Sequence, residues 1–543
     1  MNSPLKTFNV PSNGAISVTS KCGMLFIKPL KGTQMTTRTV QCLDTIESTS
    51  TSDDNTLVIV RLSNKRTGIP KANGTGGGNV VQIFSLVDPN YRATITLDSS
   101  VSTTVAWCPN SRAISCVDLD SNNATIYRLD DPDSPPLKLN NVKDTRLDKK
   151  QNNFKNDSIA FNETNGQCAV LSTHGISGGD FVSVYDYEGH NGLLNRFDLS
   201  VPSTNFNADS HLILYLKEFI LNVSSPISNA NSPHIFIHSS KTGCLLKAVV
   251  LENISSGVRD IEVCQREQKM AVITYFSERI FILDTVNFNV TSEYRHDVGG
   301  DDDLERLESF MQTKYLKMYL ESSAHKQDDN DQKIEKLSVA GSCNEALVRH
   351  LVEGRVAAAI DNEERIVSDS DVGDGDESTT TITTSPNRST RRDPTASHHN
   401  KIHVLDEYDS SFIPTIQGQD GKQRKIVNCS WSEKGRFLAS MIACCPQTVF
   451  VWDTDSLGGL CAVLVFKYPV SCISWGIGKI NGGEETLAIA NSSVGKINTW
   501  SKFGGCMFHH VHSMNDERAV GVSWGGIGLA VVRGEQNCAS ISL

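Results

Sequence analysis

The sequence predicts an all-β fold built from about nine repeated four-stranded antiparallel units, and three observations carry that prediction. Residues 426–475 hold four short apolar runs, at 426–431, 437–442, 448–452 and 461–467, separated by turn-like stretches at 432–435, 445–446 and 453–459. Four short strands in a row with tight turns make one antiparallel sheet. The same unit recurs along the chain, its third strand often closing on an acid: Trp452-Asp453, Tyr185-Asp186 and the leucine before Asp284. All six tryptophans, Trp107, Trp431, Trp452, Trp475, Trp500 and Trp524, stand at strand ends within these units. Such spacing suits large amphipathic rings that pack between neighbouring sheets.

One twisted four-stranded sheet has two apolar faces and covers neither alone. Stacking the sheets radially covers both, which makes a β-propeller, and Trp452-Asp453, after Val451, is the strand-ending dipeptide that marks a WD repeat. The reading is one ring of about nine blades; the alternative is a seven-bladed ring with a partial second propeller.

Taken in order, unit one spans residues 15–27, two strands about a Lys-Cys-Gly turn. Residues 5–10 alternate apolar positions before it, with no partner in their own unit, and are expected to close the ring on the last blade. Unit two holds 56–62 and 80–86, joined by a loop with four glycines between 74 and 78. That loop lacks the Lys-Ser/Thr and the following helix of a phosphate cradle, so it reads as a hairpin connection. Unit three carries 103–107, 113–117 and 124–129, the last including Tyr127. Unit four repeats the order at 158–161, 167–172 and 181–187. Unit five is eroded, at 212–221 and 234–238, and unit six is regular again at 259–264, 270–274 and 279–283.

The repeats then stop for more than a hundred residues. Leu304, Leu307, Met311, Tyr315 and Met318 recur at three- and four-residue spacing behind three aspartates, the pattern of a helix with acids at its N-terminus. A second helix is expected at 344–353, capped by Asn344. Residues 367–400 are rich in Ser, Thr and Asp and nearly free of large apolar side chains, a composition that stays disordered. Unit seven is 426–467, unit eight has strands at 470–475, 486–490 and 495–500, and unit nine has 521–524, 529–532 and 539–543. The domain reading is therefore 1–296 for blades one to six, 297–401 for the insertion, and 402–543 for blades seven to nine with closure to the N-terminal strand.

Charge and cysteine usage narrow the function classes. The net charge is −11, but residues 297–377 hold 21 acidic against 9 basic side chains, so the remainder is close to neutral. No basic patch speaks for nucleic acid. Fifteen cysteines, an odd number with no C-x-x-C pair, read as reduced thiols in a cytosolic protein. The N-terminus lacks the apolar core of a signal peptide, and the longest apolar run, 460–466, is far too short for a membrane span.

Motifs that resemble catalytic or metal sites fail on context. Gly175–Gly179 and Gly521–Gly525 both match G-x-S-x-G, with Ser177 and Ser523 at the nucleophile position. The elbow needs a strand, a sharp turn and then a helix, whereas one match joins two strands and the other lies within a strand. His509, His510 and His512 lack a further ligand nearby, and residues 369–377 have neither the glycine position nor the closing glutamate of a calcium loop. No enzyme activity, cofactor or metal is expected. Ser385-Pro386, followed by Arg388, Arg391 and Arg392, is a candidate site of proline-directed phosphorylation.

The wording of several units is narrower than any generic repeat. TVFVWDTDSLGGLCAVLVFKYPVSCISW (448–475) and LAIANSSVGKINTWSKFGGCM (487–507) resemble the C-terminal repeats of the centrosomal WD repeat-containing protein eight family. NVVQIFSLVDPNYRATITLDS (79–99), TTVAWCPNSRAISC (103–116) and RIFILDTVNFNVTSEYRH (279–296) are similar to its earlier repeats in the same order. The resemblance spans 8–296 and 402–543. It implies a scaffold at centrosomes or spindle poles that anchors microtubule minus ends and supports spindle assembly and cilium formation. The partners it implies are a coiled-coil spindle-pole adaptor, a minus-end-directed kinesin or the gamma-tubulin complex, with neither nucleic acid nor membrane. A different class, a translation-initiation or other RNA-associated propeller scaffold, is the alternative.

Overall fold

The computed structural model describes the strands between residues 7 and 542 and most of the tight turns joining them; within 297–424 it describes residues 317–321 and 402–405. The described residues contain strands and turns and no helix, and the strands form nine sheets in chain order. Sheets one to six cover residues 7–41, 46–96, 103–139, 159–198, 210–249 and 258–295, each four-stranded with consecutive strands hydrogen-bonded. Sheet seven is built on 426–465, sheet eight on 470–510, and sheet nine has three described strands within 521–542. The first strands of neighbouring sheets approach one another, so the first strand is the inner edge and the fourth the outer edge.

Two-sided burial sets the architecture. In the strand Leu57–Leu62, Val58 and Val60 pack with sheet one, while Leu57 and Ile59 pack with sheet three. The same division repeats at every junction: eight apolar clusters each join one sheet to the next in sequence, from sheets one and two through to sheets eight and nine. Fully burying a Val, Leu or Ile side chain contributes about 1.5–3 kcal/mol. A cluster such as that between sheets five and six, with Leu221, Ile235, Ile237, Val272 and Leu283 essentially inaccessible, therefore outweighs any single polar contact across the junction.

Polar contacts set the register. Four tryptophans at the ends of inner strands donate their indole N–H to a backbone carbonyl on the inner strand of the preceding sheet. Trp107 reaches Ser50 at 3.2 Å, Trp431 reaches Glu262 at 3.0 Å, Trp475 reaches Ser430 at 3.0 Å and Trp524 reaches Ser474 at 3.0 Å. Ser430 and Ser474 immediately precede Trp431 and Trp475, so in the last three sheets each indole grips the residue before its counterpart. The ring of Trp524 passes so close to Gly476 that a Cβ there would stand 2.1 Å from it, which is why a glycine follows Trp475.

Two sequence expectations are corrected. Among the described residues the N-terminal strand pairs within its own sheet and not with the last one: Thr7–Asn9 pairs antiparallel with Ile16–Lys21, with Thr7 opposite Ser20, as the inner-edge member of a local hairpin. A six-residue connection closes at far lower entropic cost than a partner at the other end of the chain. The helix expected over Leu304–Met318 fails at its end, because Met318 belongs to the strand Lys317–Glu321. Residues 304, 307, 311 and 315, the expected helix at 344–353, the expected disorder at 367–400 and the glycine loop at 74–78 lie outside the described residues.

Lys317–Glu321 and Ile402–Leu405 form an antiparallel pair, Glu321 opposite Ile402, that extends sheet seven beyond its fourth strand Gly459–Val465. The ends of the intervening segment are thus held side by side. Replacing residues 323–400 by a four-residue turn is expected to leave the thermal unfolding midpoint within about 2 °C of the intact chain; a fall of more than about 5 °C in a calorimetric scan would show that the segment packs on the sheets.

Candidate functional site

Sheet seven holds three of the residues that the sequence singles out, Trp431, Trp452 and Asp453. Trp452, on its third strand Thr448–Asp453, is 1% exposed and lies flat on Tyr294 of sheet six, with ring centroids 4.9 Å apart and planes 2° from parallel. Its indole N–H donates to Ser440 Oγ on the second strand at 2.9 Å. The same hydroxyl meets His296 Nε2 at 2.7 Å, and His296 Nδ1 lies 2.6 Å from the carbonyl of Glu278. The imidazole also stands edge-on to Phe450 and Trp452 at 4.9 and 5.0 Å. His296 follows directly on the outer strand of sheet six, so it bonds to sheet seven across 144 residues of sequence.

Burial pushes the His296 imidazole down to about 4, the hydrogen bond to Glu278 opposing this only in part. With Nδ1 against a carbonyl, the neutral ring donates there and accepts at Nε2 from Ser440, whose oxygen in turn receives the indole N–H. The relay fixes one tautomer and leaves none of these buried groups unpaired.

Asp453 is an ionic hub. Its Oδ2 accepts from Arg436 Nη2 at 3.2 Å and from Lys502 Nζ of sheet eight at 2.7 Å, while Oδ1 accepts from the Asp455 amide at 3.2 Å. Burial alone would raise this carboxyl; the bonds from Lys502 and Arg436 outweigh it and hold the group below its ordinary value. Asp186 and Asp284 end the corresponding strands of sheets four and six and only cap the next turn. Asp186 Oδ1 accepts from Gly189 N at 2.7 Å, and Asp284 Oδ1 accepts from Val286 N at 2.7 Å and Asn287 N at 2.9 Å. This is the usual local use of an aspartate at a turn.

The remaining signature residues are likewise committed to packing. Trp475 and Trp500 stand edge-on to each other at 6.2 Å with Phe437 between the sheets, stacked on Trp475 at 5.9 Å and edge-on to Trp500 at 5.6 Å. Tyr127 packs between sheets two and three, and Tyr185 between sheets three and four. Ser177 lies outside the described residues, between two strands paired in register, Gln167–Thr173 and Asp180–Asp186. Ser523 is within the strand Gly521–Trp524. His509, on the outer strand of sheet eight, shares a 2.8 Å hydrogen bond with Thr499, and no cluster of three or more His, Cys, Asp or Glu suited to a metal occurs among the described residues. Ser385 and His512 lie outside the described residues. Sequence reasoning missed His296, Ser440 and Lys502; a lone histidine after the sixth unit carries no local signal of a partner far along the chain.

No family model matches this chain, and no curated protein does. Among solved structures it is similar to a eukaryotic initiation factor, with 10% identity, a TM-score of 0.50, and coverage of 94% of this chain and 89% of that one. The fold is a WD-repeat β-propeller. At that identity the likeness is one of fold alone. The chain also matches the Dos1 propeller (9% identity, 91% of this chain and 90% of that one, TM-score 0.45) and Sqt1 of Saccharomyces cerevisiae (8% identity, all of both chains, TM-score 0.43), levels that add nothing to that inference.

Truncating Trp452 to alanine is expected to cost about 3–5 kcal/mol in urea unfolding followed by tryptophan fluorescence. Two pH windows are also expected. His296 is harder to protonate folded than unfolded, so stability holds above pH ~6.5 and declines as pH falls from there towards about 4, and a His296→Gln variant loses that part of the slope. The depressed Asp453 carboxyl stabilises above its unfolded value near 3.8, and its contribution disappears only as pH falls below that, a loss absent in Asp453→Asn. Identical acid profiles for wild type and both variants would contradict these assignments.

Proposed function

We propose that this protein is a non-catalytic scaffold at the centrosome or spindle pole that helps anchor microtubule minus ends. The observation that carries the scaffold part is the fate of the signature residues. The described signature residues of the repeats are committed to packing or hydrogen bonds within and between sheets, which leaves the surface for partners. The location rests on the wording of residues 448–475 and 487–507, which resembles that of the centrosomal repeat family. A coiled-coil pole adaptor, a minus-end-directed kinesin and the gamma-tubulin complex are the protein partners this reading names. Spindle assembly, and in ciliated cells cilium formation, are the processes it serves.

A second reading, a translation-initiation scaffold, has one observation on its side: the similarity in fold to an initiation factor along most of the chain. Fold similarity at 10% identity weighs less than shared wording within the repeats, and no basic excess outside the acidic insertion favours RNA. Fluorescent tagging at the native locus in dividing cells separates the two. Focal signal at spindle poles, with detached minus ends on depletion, is the expected result. Diffuse signal with normal spindles, or a salt-resistant ribosomal fraction, would reject it.

A further inference from the structure

Every described strand pair is antiparallel except one. Lys317–Glu321 runs parallel to Gly459–Val465, with Met318 opposite Val463 and Tyr319 opposite Leu464. A blade made from consecutive strands through tight turns is antiparallel throughout. The parallel strand is therefore an addition to a blade already complete in residues 426–465, supplied from the insertion after sheet six.

The added strand is fitted on both sides. Met318 is fully buried in the apolar cluster between sheets six and seven, with Tyr294, Leu460 and Val463. Tyr319 is 7% exposed and enters the cluster between sheets seven and eight, with Ala462, Leu464 and Phe466. Its ring lies against Gly505, where even a Cβ would make only an ordinary contact, 3.4 Å from Tyr319 Cε1. The edge thus offers two side-chain pockets on opposite faces and a row of backbone groups between them.

Sheets four and five show the same edge without such an addition among the described residues. Their outer strands carry the same bulge, and Leu193 and Leu245, which stand where sheet seven has Leu460, are 52% and 39% exposed against 4% for Leu460. The added strand pairs with Ala462 to Val465 of the sheet-seven edge.

We propose that the outer edge of sheet seven is a strand-docking site occupied in cis by Lys317–Glu321, and that an extended segment of a protein partner can replace that strand. The partner segment runs parallel to Gly459–Val465, places a long flexible apolar side chain between sheets six and seven, and places an aromatic one next to it between sheets seven and eight. It has no proline at the pairing positions, since main-chain hydrogen bonds supply the affinity and the alternate pockets the selectivity. The inference concerns sheet seven alone and stands whether or not the centrosomal reading does.

The probe is a fluorescent peptide of residues 314–323, KYLKMYLESS. It is titrated by anisotropy against the full chain, against a full chain carrying Met318→Asp and Tyr319→Asp, and against one in which 317–321 is replaced by Gly-Ser-Gly-Ser-Gly. Both altered chains are expected to bind the peptide at least tenfold more tightly than wild type, whose edge is already filled. The reversed peptide and a peptide with aspartate at both pocket positions are expected not to bind. Failure of the peptide to bind either altered chain, while tryptophan fluorescence shows it folded, overturns the proposal. So does unfolding of both altered chains, which would make the strand an integral part of the blade. Concentration-dependent dimers of wild type that exclude free peptide also overturn it, because the occupant would then be a second copy.

Discussion

A sheet with apolar side chains on both faces has no stable existence by itself, and everything else in this molecule follows from that. Consecutive sheets are each other's partners, so among the described residues the core forms eight thin layers joining one sheet to the next. The layers supply the energy but are tolerant of sliding, as any contact between smooth rows of Val, Ile and Leu would be. The indole N–H groups of Trp107, Trp431, Trp475 and Trp524 remove that freedom. Each is worth about 1 kcal/mol as a hydrogen bond, small beside the burial it accompanies, yet each has one acceptor on the neighbouring inner strand. Burial drives association and the indoles choose the alignment.

Much of this is legible in the chain. The third strands closing on Trp452-Asp453, Tyr185-Asp186 and Leu283-Asp284 announce themselves, because a strand buried on both faces is a continuous apolar run. The outer strands do not. Arg92–Thr96 and Gly192–Asp198 are half exposed and mix charge with apolar residues, which is also how loops read. The pairing of the N-terminal strand is not legible because pattern reveals a strand but not its partner, and Met318 reads as helical because three- and four-residue spacing is satisfied by chance in a short apolar stretch. At the candidate site, the aromatic side chains were identified from sequence and their bonds were not. Asp453 looks identical in sequence to Asp186 and Asp284, yet it alone of the three is shown gathering a lysine from the next sheet, because Lys502 happens to follow the third strand of sheet eight.

Sheet seven is composite in a way the others are not shown to be. Its interior is completed from upstream by His296 and Tyr294, and its outer edge by Lys317–Glu321, while its own four strands begin only at Ile426. The long interruption between sheets six and seven is thus bracketed by contacts on both sides, and its near end is woven into the blade that follows it. A propeller tolerates such an interruption because the site of insertion is a connection between blades, where the chain already passes from outer to inner edge.

The bond from His296 to Ser440 has a consequence for how the chain is made. A ribosome that has just finished sheet six must add 144 residues before the hydroxyl partner of His296 exists. At about 5–20 residues per second this takes roughly 7–30 s. For most of that time the face of sheet six that carries Ile273, Ile280 and Ile282 lacks the strands of sheet seven that cover it. Nascent-chain biology thus gives the early part of the insertion a position of influence, since Met318 joins the same apolar cluster and emerges from the ribosome more than a hundred residues before Leu438.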